Sequence, residues 1–302
     1  MAGSIPVRTD LAREADTGDA APSGVLRREW ETDGVEECEV RITTEEASRA
    51  LGKNRGRYLT LSVGRVWEDT PEVFRRKTEI FSGELKSFLP AGDGCVLLVG
   101  LGNRRITADA VGPMSVEHVL VTRHLEESQP GLFRELSLAR TAALSPGVLG
   151  QTGIESADII RSLVDTLHPG AVVAVDALAS RSLARLATTV QITDAGIAPG
   201  SGVGNRRDAL DLSTLGVPVC AVGVPTVVDA VTLAWDVFSR AAGGEGDFER
   251  WRADFPAEGL NFFVTPKETD EILKSVSALI GYGINLALHP SLDYEQMLSL
   301  IE

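Results

Sequence analysis

The chain has 302 residues, of which 43% are hydrophobic and 24% are charged, as in ordinary globular proteins. Its formal net charge is −14, and an acidic surface repels phosphate backbones and anionic lipids, so we expect no direct nucleic-acid or membrane partner. The longest apolar stretch is interrupted by Pro225 and Asp229, and the N-terminus lacks the apolar core of a secretory signal. Three cysteines without a CxxC pair indicate buried thiols in a reducing, cytoplasmic compartment.

The N-terminal part of the chain is predicted to differ from the rest. Few large apolar side chains occur between positions 14 and 35, so we expect residues 1–35 to form a mobile lead-in. Residues 36–302 are expected to form a single α/β domain, with a surface excursion rich in glycine and acidic residues near 242–259.

Strand and helix patterns alternate through the domain, which is typical of an α/β fold with a mostly parallel, doubly wound sheet. Alternating or continuous apolar runs predict the strands, and apolar residues at helical spacing predict the helices. In chain order we expect strands at 38–43 and 57–63, a helix at 71–88, a strand at 95–100, a helix beginning near Thr107, a helix at 155–167, a strand at 171–176, a helix at 179–187, a strand at 218–223, and helices at 226–241 and 267–281.

Two of the predicted strands lead to an aspartate. The strand at 95–100 is followed by a glycine turn and then by Asp109, and the strand that begins at Ala171 ends at Asp176. Ligands and chemistry gather beyond the carboxyl ends of parallel strands, so the two carboxylates can form a catalytic pair.

Structural roles are the alternative for both aspartates. Asp109 can be a carboxylate in the first turn of a helix that Thr107 caps. Asp176 can form a buried ion pair with Arg181 or Arg185.

Two glycine loops indicate an alternative function. Gly100–Asn103 lacks the third glycine of GxGxxG, and Gly200–Asn205 lacks the Gly-Lys-Ser/Thr ending of a P-loop. As anion-binding loops they would suit a nucleotide-binding or small-molecule-binding protein without catalysis. The same two sequences fit equally well as tight turns that lie close to a peptide backbone. A Ser-His-Asp site lacks support because no GxSxG motif is present.

Taken together, sequence blocks along nearly the whole chain resemble the germination protease family, spore endopeptidases that degrade small acid-soluble spore proteins. The blocks occur in family order. They are Arg8-Thr-Asp-Leu-Ala12, Gly56-Arg-Tyr-Leu-Thr-Leu61, Val99-Gly-Leu-Gly-Asn103, Ile106-Thr-Ala-Asp-Ala-Val-Gly-Pro113, Val121-Thr-Arg-His-Leu125, Pro146-Gly-Val-Leu-Gly-Gln-Thr-Gly-Ile-Glu155, Val175-Asp-Ala-Leu-Ala-Ser-Arg181, Gln191-Ile-Thr-Asp-Ala-Gly-Ile197, Pro199-Gly-Ser-Gly-Val-Gly-Asn205, Leu215-Gly-Val-Pro218, Gly223-Val-Pro-Thr-Val-Val-Asp-Ala230 and Val264-Thr-Pro-Lys267.

The resemblance implies a fold shared with the hydrogenase-maturation endopeptidases, which is phosphorylase/hydrolase-like, and a catalytic pair formed by Asp109 and Asp176. It also implies residues that bind substrate or shape the site, namely Gly102, Asn103, Thr107, Arg181, Asp194, Gly202 and Asn205.

The same resemblance implies a homotetramer in the spore core, with small acid-soluble spore proteins as substrates and a short leader that the zymogen removes. Only seven residues precede Arg8. No cofactor and no metal are expected, because the third metal ligand of the maturation enzymes is a histidine and this chain lacks one in the corresponding region. A metal-dependent peptidase is the alternative.

Overall fold

The computed structural model describes residues 9–15, 22–92, 94–198, 208–242 and 262–301. The glycine loop with Gly202 and Asn205, and most of the excursion predicted near 242–259, lie outside the described residues. All three cysteines are buried and unpaired, as the sequence predicts.

Nine strands and twelve helices of four or more residues occur in the described part of the chain. The strands are β1 Val25–Thr32, β2 Val35–Ile42, β3 Gly56–Ser62, β4 Val96–Gly100, β5 Thr141–Leu144, β6 Ala171–Ser180, β7 Thr189–Thr193, β8 Val219–Asp229 and β9 Phe263–Val264. The helices are α1 Ala12–Ala15, α2 Glu45–Leu51, α3 Pro71–Lys86, α4 Val111–Val116, α5 Leu125–Ser128, α6 Pro130–Glu135, α7 Leu149–Thr152, α8 Ser156–Leu167, α9 Leu212–Leu215, α10 Ala230–Ala242, α11 Thr269–Leu288 and α12 Tyr294–Ile301.

The strands form one sheet in the order β1-β2-β3-β7-β8-β6-β4-β5, with β9 paired to β8. The pairings β4-β5, β4-β6 and β6-β8 are parallel. Every other pairing in the described chain is antiparallel. The α/β class is therefore confirmed, but the sheet is mixed rather than mostly parallel, because an antiparallel β1-β2-β3-β7 half joins the parallel half at β8.

Helices cover both faces of the parallel half, so β6 is buried on both sides. Val173 and Val175 share a core cluster with Leu273 and Leu279 of α11. The alternate residues of β6, Val172 and Ala174, belong to a second cluster that includes Ile160 and Val164 of α8. Two buried faces explain the uninterrupted apolar run at the start of β6.

The predicted helix at 179–187 is wrong, and the predicted helix at 226–241 begins later than expected. The residues predicted to begin a helix at 179 continue β6 to Ser180, and only a 3-10 turn, Leu183–Arg185, follows. β8 likewise continues to Asp229 before α10 begins. The register of β6 and β8 shifts between Leu178 and Ala179, opposite Pro225. A bulge tolerates proline inside a strand, so Pro225 does not end β8.

The predicted lead-in also contains a strand. Val25–Thr32 form β1, which pairs along its whole length with β2. Nearly every residue of β1 is exposed, including Trp30 at the sheet edge. A strand exposed on both faces needs few large apolar residues, so its sequence resembles that of a loop.

One described helix, Thr269–Leu288, is long and apolar enough to cross a membrane, by length and composition only. Most of it is buried against the sheet and against α3 and α4, as expected of a core helix.

Candidate active site

Asp109 lies on a 3-10 turn, Thr107–Asp109, that follows the loop at the end of β4. Its Oδ2 accepts a hydrogen bond from the backbone N–H of Asn103 at 2.7 Å. Gly102 has a φ of +113°, and a Cβ there would lie 2.1 Å from the carbonyl oxygen of Asp109. Only glycine fits this close approach, so Gly102 sets the position of the turn.

The other two residues of the turn are bound by different elements. The hydroxyl of Thr107 donates to Oδ1 of Asp270, in the first turn of α11, at 2.7 Å. The carbonyl oxygen of Ala108 accepts from the hydroxyl of Thr226 on β8 at 2.5 Å. The expectation that Thr107 caps a helix is wrong, because Ile106 occupies the N-cap position and Thr107 instead binds Asp270.

Asp176 is buried, with 4% of its surface exposed, and it lies within β6 rather than at its end. Its Oδ1 accepts from the N–H of Ala177 at 2.9 Å. Side chains alternate along a strand, so Asp176 shares a face with Ala174 and Leu178. The prediction that the strand ends at Asp176 is wrong because pairing with β8 continues past it.

The segments that carry the two aspartates are joined by the backbone. The N–H of Leu101, directly after β4, donates to the carbonyl oxygen of Val175 at 2.8 Å. Gly112 packs into the same place, since a Cβ there would lie 2.3 Å from the oxygen of Leu101 and 2.4 Å from that of Val175. The 3-10 turn also packs against β6 and β8. The structure therefore brings Asp109 and Asp176 to the same region beyond β4.

Two N–H groups of the first glycine loop are already bound within the protein. The N–H of Leu101 is bound to Val175, and the N–H of Asn103 is bound to the Asp109 carboxylate. A phosphate would compete with both interactions, and it would meet a carboxylate.

The end of β6 is held by an N-terminal segment that sequence reasoning missed. The carboxylate of Glu14 accepts from the N–H groups of Arg181 and Ser182 at 2.7 and 3.1 Å. Arg185, considered above as a partner of Asp176, has its Nε 2.9 Å from Oε1 of Glu14. Asp10 accepts from the N–H of Ala179 at 2.8 Å. The guanidinium of Arg185 therefore pairs with Glu14, more than 160 positions away in the chain.

A cavity of about 170 Å³ opens on the face of the sheet that Asp176 shares with Leu178. Lys53 lies in it and donates to the carbonyl oxygen of Thr9 at 2.8 Å, and burial lowers the pKa of this lysine. Burial also raises the pKa of Tyr58 above its usual range, with a smaller contribution from the charge of Asp194. The cavity is lined by Asp10, Gly52, Lys53, Asn54, Tyr58, Leu178, Gln191, Thr193, Gly196, Ile197, Ala198, Ala221 and Gly223.

Gly223 lines this cavity and lets the side chain of Leu178 lie directly against its backbone. Gly223, on β8, pairs with Asp176 of β6 on one side and with Gln191 of β7 on the other. A Cβ at Gly223 would lie 2.3 Å from the side chain of Leu178. Asp194, at the end of β7, is exposed, and its Oδ1 accepts from the N–H of Arg57 at 2.7 Å, so it fixes the start of β3 beside the cavity.

A second missed residue is Gln151, whose Nε2 donates to Oδ1 of Asn103 at 2.7 Å. No signal within the motif indicates this contact, because 48 positions separate the two residues. Within the described ranges, no three side chains of His, Cys, Asp or Glu group as metal ligands.

The α/β fold places the segments that carry Asp109 and Asp176 together just beyond the end of β4, and this edge of a parallel sheet is where many enzymes of the α/β class have their active sites. A sequence model of the germination protease family matches residues 6–240. The germination protease of Caldanaerobacter subterraneus subsp. tengcongensis is 40% identical over 320 aligned positions, covering 98% of each chain. Those of Priestia megaterium and Bacillus cereus are each 36% identical, covering 96% of this chain and 95% of theirs. The chain belongs to the germination protease family, and the resemblance stated from its motifs is confirmed.

Proposed function

We propose that this protein hydrolyses peptide bonds within small acid-soluble spore proteins during germination, and that Asp109 and Asp176 together activate the attacking water. The observation that carries the proposal is the backbone hydrogen bond that joins the segments bearing Asp109 and Asp176. The Leu101–Val175 hydrogen bond, at 2.8 Å, ties the loop that leads to Asp109 to the residue before Asp176. A buried carboxylate next to a second carboxylate is costly unless the pair shares a proton or a ligand.

The two carboxylates take different roles in the proposed reaction. Because neighbouring anions repel, one of the two keeps its proton to higher pH. The hydrogen bond from Asn103 N–H to Asp109, at 2.7 Å, favours the ionised form of Asp109. Asp109 then removes a proton from water, and the water oxygen attacks the peptide carbonyl carbon. Protonated Asp176 donates a hydrogen bond to the carbonyl oxygen, and the proton taken by Asp109 passes to the leaving nitrogen.

The cavity beside Asp176 is the proposed place for a substrate side chain. Gly223, which lines the cavity, pairs with Asp176, and the lining combines apolar Leu178 with polar Lys53 and Thr193. Asn103, which is half-buried, is bound to Asp109, so a peptide bound across the end of β6 would pass both the cavity and this loop.

Further parts of the proposal concern assembly and location. We propose a homotetramer in the cytoplasm of the spore core, with no metal in the catalytic step and a fold shared with the hydrogenase-maturation endopeptidases. Activity retained in EDTA supports metal independence, whereas loss in EDTA that zinc or nickel restores contradicts it.

Incubation with a purified small acid-soluble spore protein, followed by mass spectrometry of the fragments, tests the function directly. We expect a few defined internal cuts, with no cuts by the Asp109→Asn variant. An intact substrate after prolonged incubation with the processed and unprocessed protein would contradict the proposal. Stabilisation by nucleotides in a thermal-shift screen, without cleavage, would favour the binding-protein alternative.

A further inference from the structure

Asn103 connects the backbone at Asp109 to a side chain from another loop. Its N–H donates to Oδ2 of Asp109 at 2.7 Å. Its side-chain Oδ1 accepts from the N–H of Arg105 at 3.0 Å and from Nε2 of Gln151 at 2.7 Å. One residue therefore holds the proposed catalytic carboxylate through its backbone and is itself oriented through its carboxamide.

The chemistry of these contacts fixes which end of the Asn103 amide faces which way. A backbone N–H can only donate, so the atom that faces Arg105 has to be the oxygen of Asn103. The atom of Gln151 that faces the same oxygen has to be a donor, which is Nε2. Nδ2 of Asn103 consequently points away from both partners, and in the described part of the chain it donates to no other residue.

The fold delivers Gln151 to this place through the parallel pairing of β4 and β5. Both strands end at the same edge of the sheet, and the chain after β5 leads into α7, which carries Gln151. Gly147, with a φ of +75°, makes room for it, because a Cβ at Gly147 would lie 3.0 Å from Oε1 of Gln151. The side chain is exposed, but its Nε2 is held by Asn103 and its Oε1 lies close to Gly147.

We infer that Gln151 is a positioning residue that holds the Asn103 carboxamide so that its Nδ2–H donates to the carbonyl oxygen of the peptide bond being cut. This inference rests on the proposed function. A donor that is already oriented stabilises the negative charge that develops on that oxygen, and it needs no reorganisation during the reaction. Asn103 is then a catalytic residue, and Gln151 acts only through it.

Two substitutions at Gln151 test whether its hydrogen-bond donor matters, or only the space that its side chain fills. Gln151→Glu keeps the shape but replaces the donor with an acceptor, so it repels Oδ1 of Asn103. Gln151→Lys changes the shape but keeps a donor. We expect kcat to fall about tenfold in Gln151→Glu, with KM changed less than twofold, and to be largely retained in Gln151→Lys. Gln129→Glu, the same change on an exposed residue before α6, is the matched control and should keep wild-type kinetics.

Asn103→Ala completes the experiment. Loss of one donor to the developing oxyanion costs on the order of 100-fold in kcat, and adding Gln151→Glu to Asn103→Ala should then cost nothing further. Multiplicative losses in the double variant, or a wild-type kcat in Gln151→Glu, overturn the inference. Melting temperatures of all variants, measured alongside, identify any loss that comes from unfolding.

Asp109→Asn, assayed in the same series, tests the proposed function separately from the role of Gln151. If Asp109→Asn is inactive while Gln151→Glu is fully active, the role of Gln151 is wrong and the proposed function stands. If Asp109→Asn is fully active, the proposed function is wrong, and the inference that rests on it is overturned with it.

Discussion

The backbone of Gly102 passes so close to Asp109 that no side chain fits between them. A Cβ at Gly102 would lie 2.1 Å from the Asp109 carbonyl oxygen and 3.1 Å from its Oδ1, and the φ of Gly102 is +113°. The glycine therefore determines where the carboxylate lies, without taking part in any chemistry.

Gly102→Ala should remove most of the peptidase activity, because the Asp109 turn has to move away from β6 to admit a methyl group. We also expect a stability loss of about 1–3 kcal/mol from strain at positive φ and from the displaced turn. Gly83→Ala is the control, since Gly83 lies inside α3 with nothing within 4 Å of the new Cβ. That variant should be as stable as the wild type or up to about 1 kcal/mol more stable. Equal activity of the two variants would contradict the prediction.

The catalytic pair predicts a particular pattern of coupling. Asp109→Asn and Asp176→Asn should each lower kcat by about three or more orders of magnitude, and the double variant should lose little more, because both carboxylates act on one water. If the two carboxylates are only structural, each change lowers the melting temperature and reduces activity only in proportion to unfolding. Cleavage rates and melting temperatures measured on the three variants distinguish these outcomes. A bell-shaped pH profile of cleavage is expected for the wild type.

Glu14 should contribute to stability by holding the end of β6. Glu14→Gln keeps the shape but loses the charge that binds the N–H groups of Arg181 and Ser182 and pairs with Arg185. We expect a loss of about 1–3 kcal/mol in the free energy of unfolding, measured by chemical denaturation. Glu31→Gln removes the same charge from an exposed position on β1 and should change stability by less than about 0.5 kcal/mol. A similar loss in both variants would mean that net charge, and not the contact, is responsible.

The sequence indicates those parts of the candidate site that depend on local pattern. Asp176 follows a continuous apolar run, and Asp109 follows a glycine turn, so both stand out as candidate residues, and their catalytic role stays a prediction. Asp270, Glu14 and Gln151 were not, because their contacts with the site form only after the chain has folded.

In the fold, too, local sequence pattern predicts where an element lies, whereas long-range contacts decide where it ends. β6 was predicted from its apolar start, but its extension to Ser180 depends on pairing with β8 and on Asp10, whose N–H donates to the carbonyl oxygen of Ala179 and whose Oδ2 accepts from the N–H of Ala179. The helical preference of the Ala-Leu-Ala stretch is weaker than those tertiary contacts. β1 escaped prediction because it buries no continuous apolar face. Propensity and periodicity therefore located the central strands and left their ends to be decided by tertiary structure.

His289 predicts a pH dependence of stability that is separate from catalysis. The imidazole is fully buried, its Nδ1 accepts from the N–H of Ala139 at 3.1 Å, and burial lowers its pKa to about 4. The unfolded chain therefore binds a proton near pH 6.5, whereas the folded chain does so only near pH 4. Stability should be complete above about pH 6.5 and should fall as the pH is lowered towards 4, by at most about 3 kcal/mol.

His289→Gln should flatten that part of the stability curve, because glutamine can accept from Ala139 and does not titrate. His124→Gln, at an exposed position before α5, should leave the curve unchanged. Chemical denaturation at several pH values between 4 and 7 measures both. A curve for His289→Gln that parallels the wild type would show that other groups cause the dependence.

The attachment of Asp10 to Ala179 also links the described N-terminal segment to the candidate site. Ala179 lies three residues beyond Asp176 on β6, a distance of roughly 10 Å along a strand. Its N–H donates to Oδ2 of Asp10, and its carbonyl oxygen accepts from the N–H of Asp10. Displacing Asp10 would therefore release the end of β6 close to the proposed catalytic carboxylate.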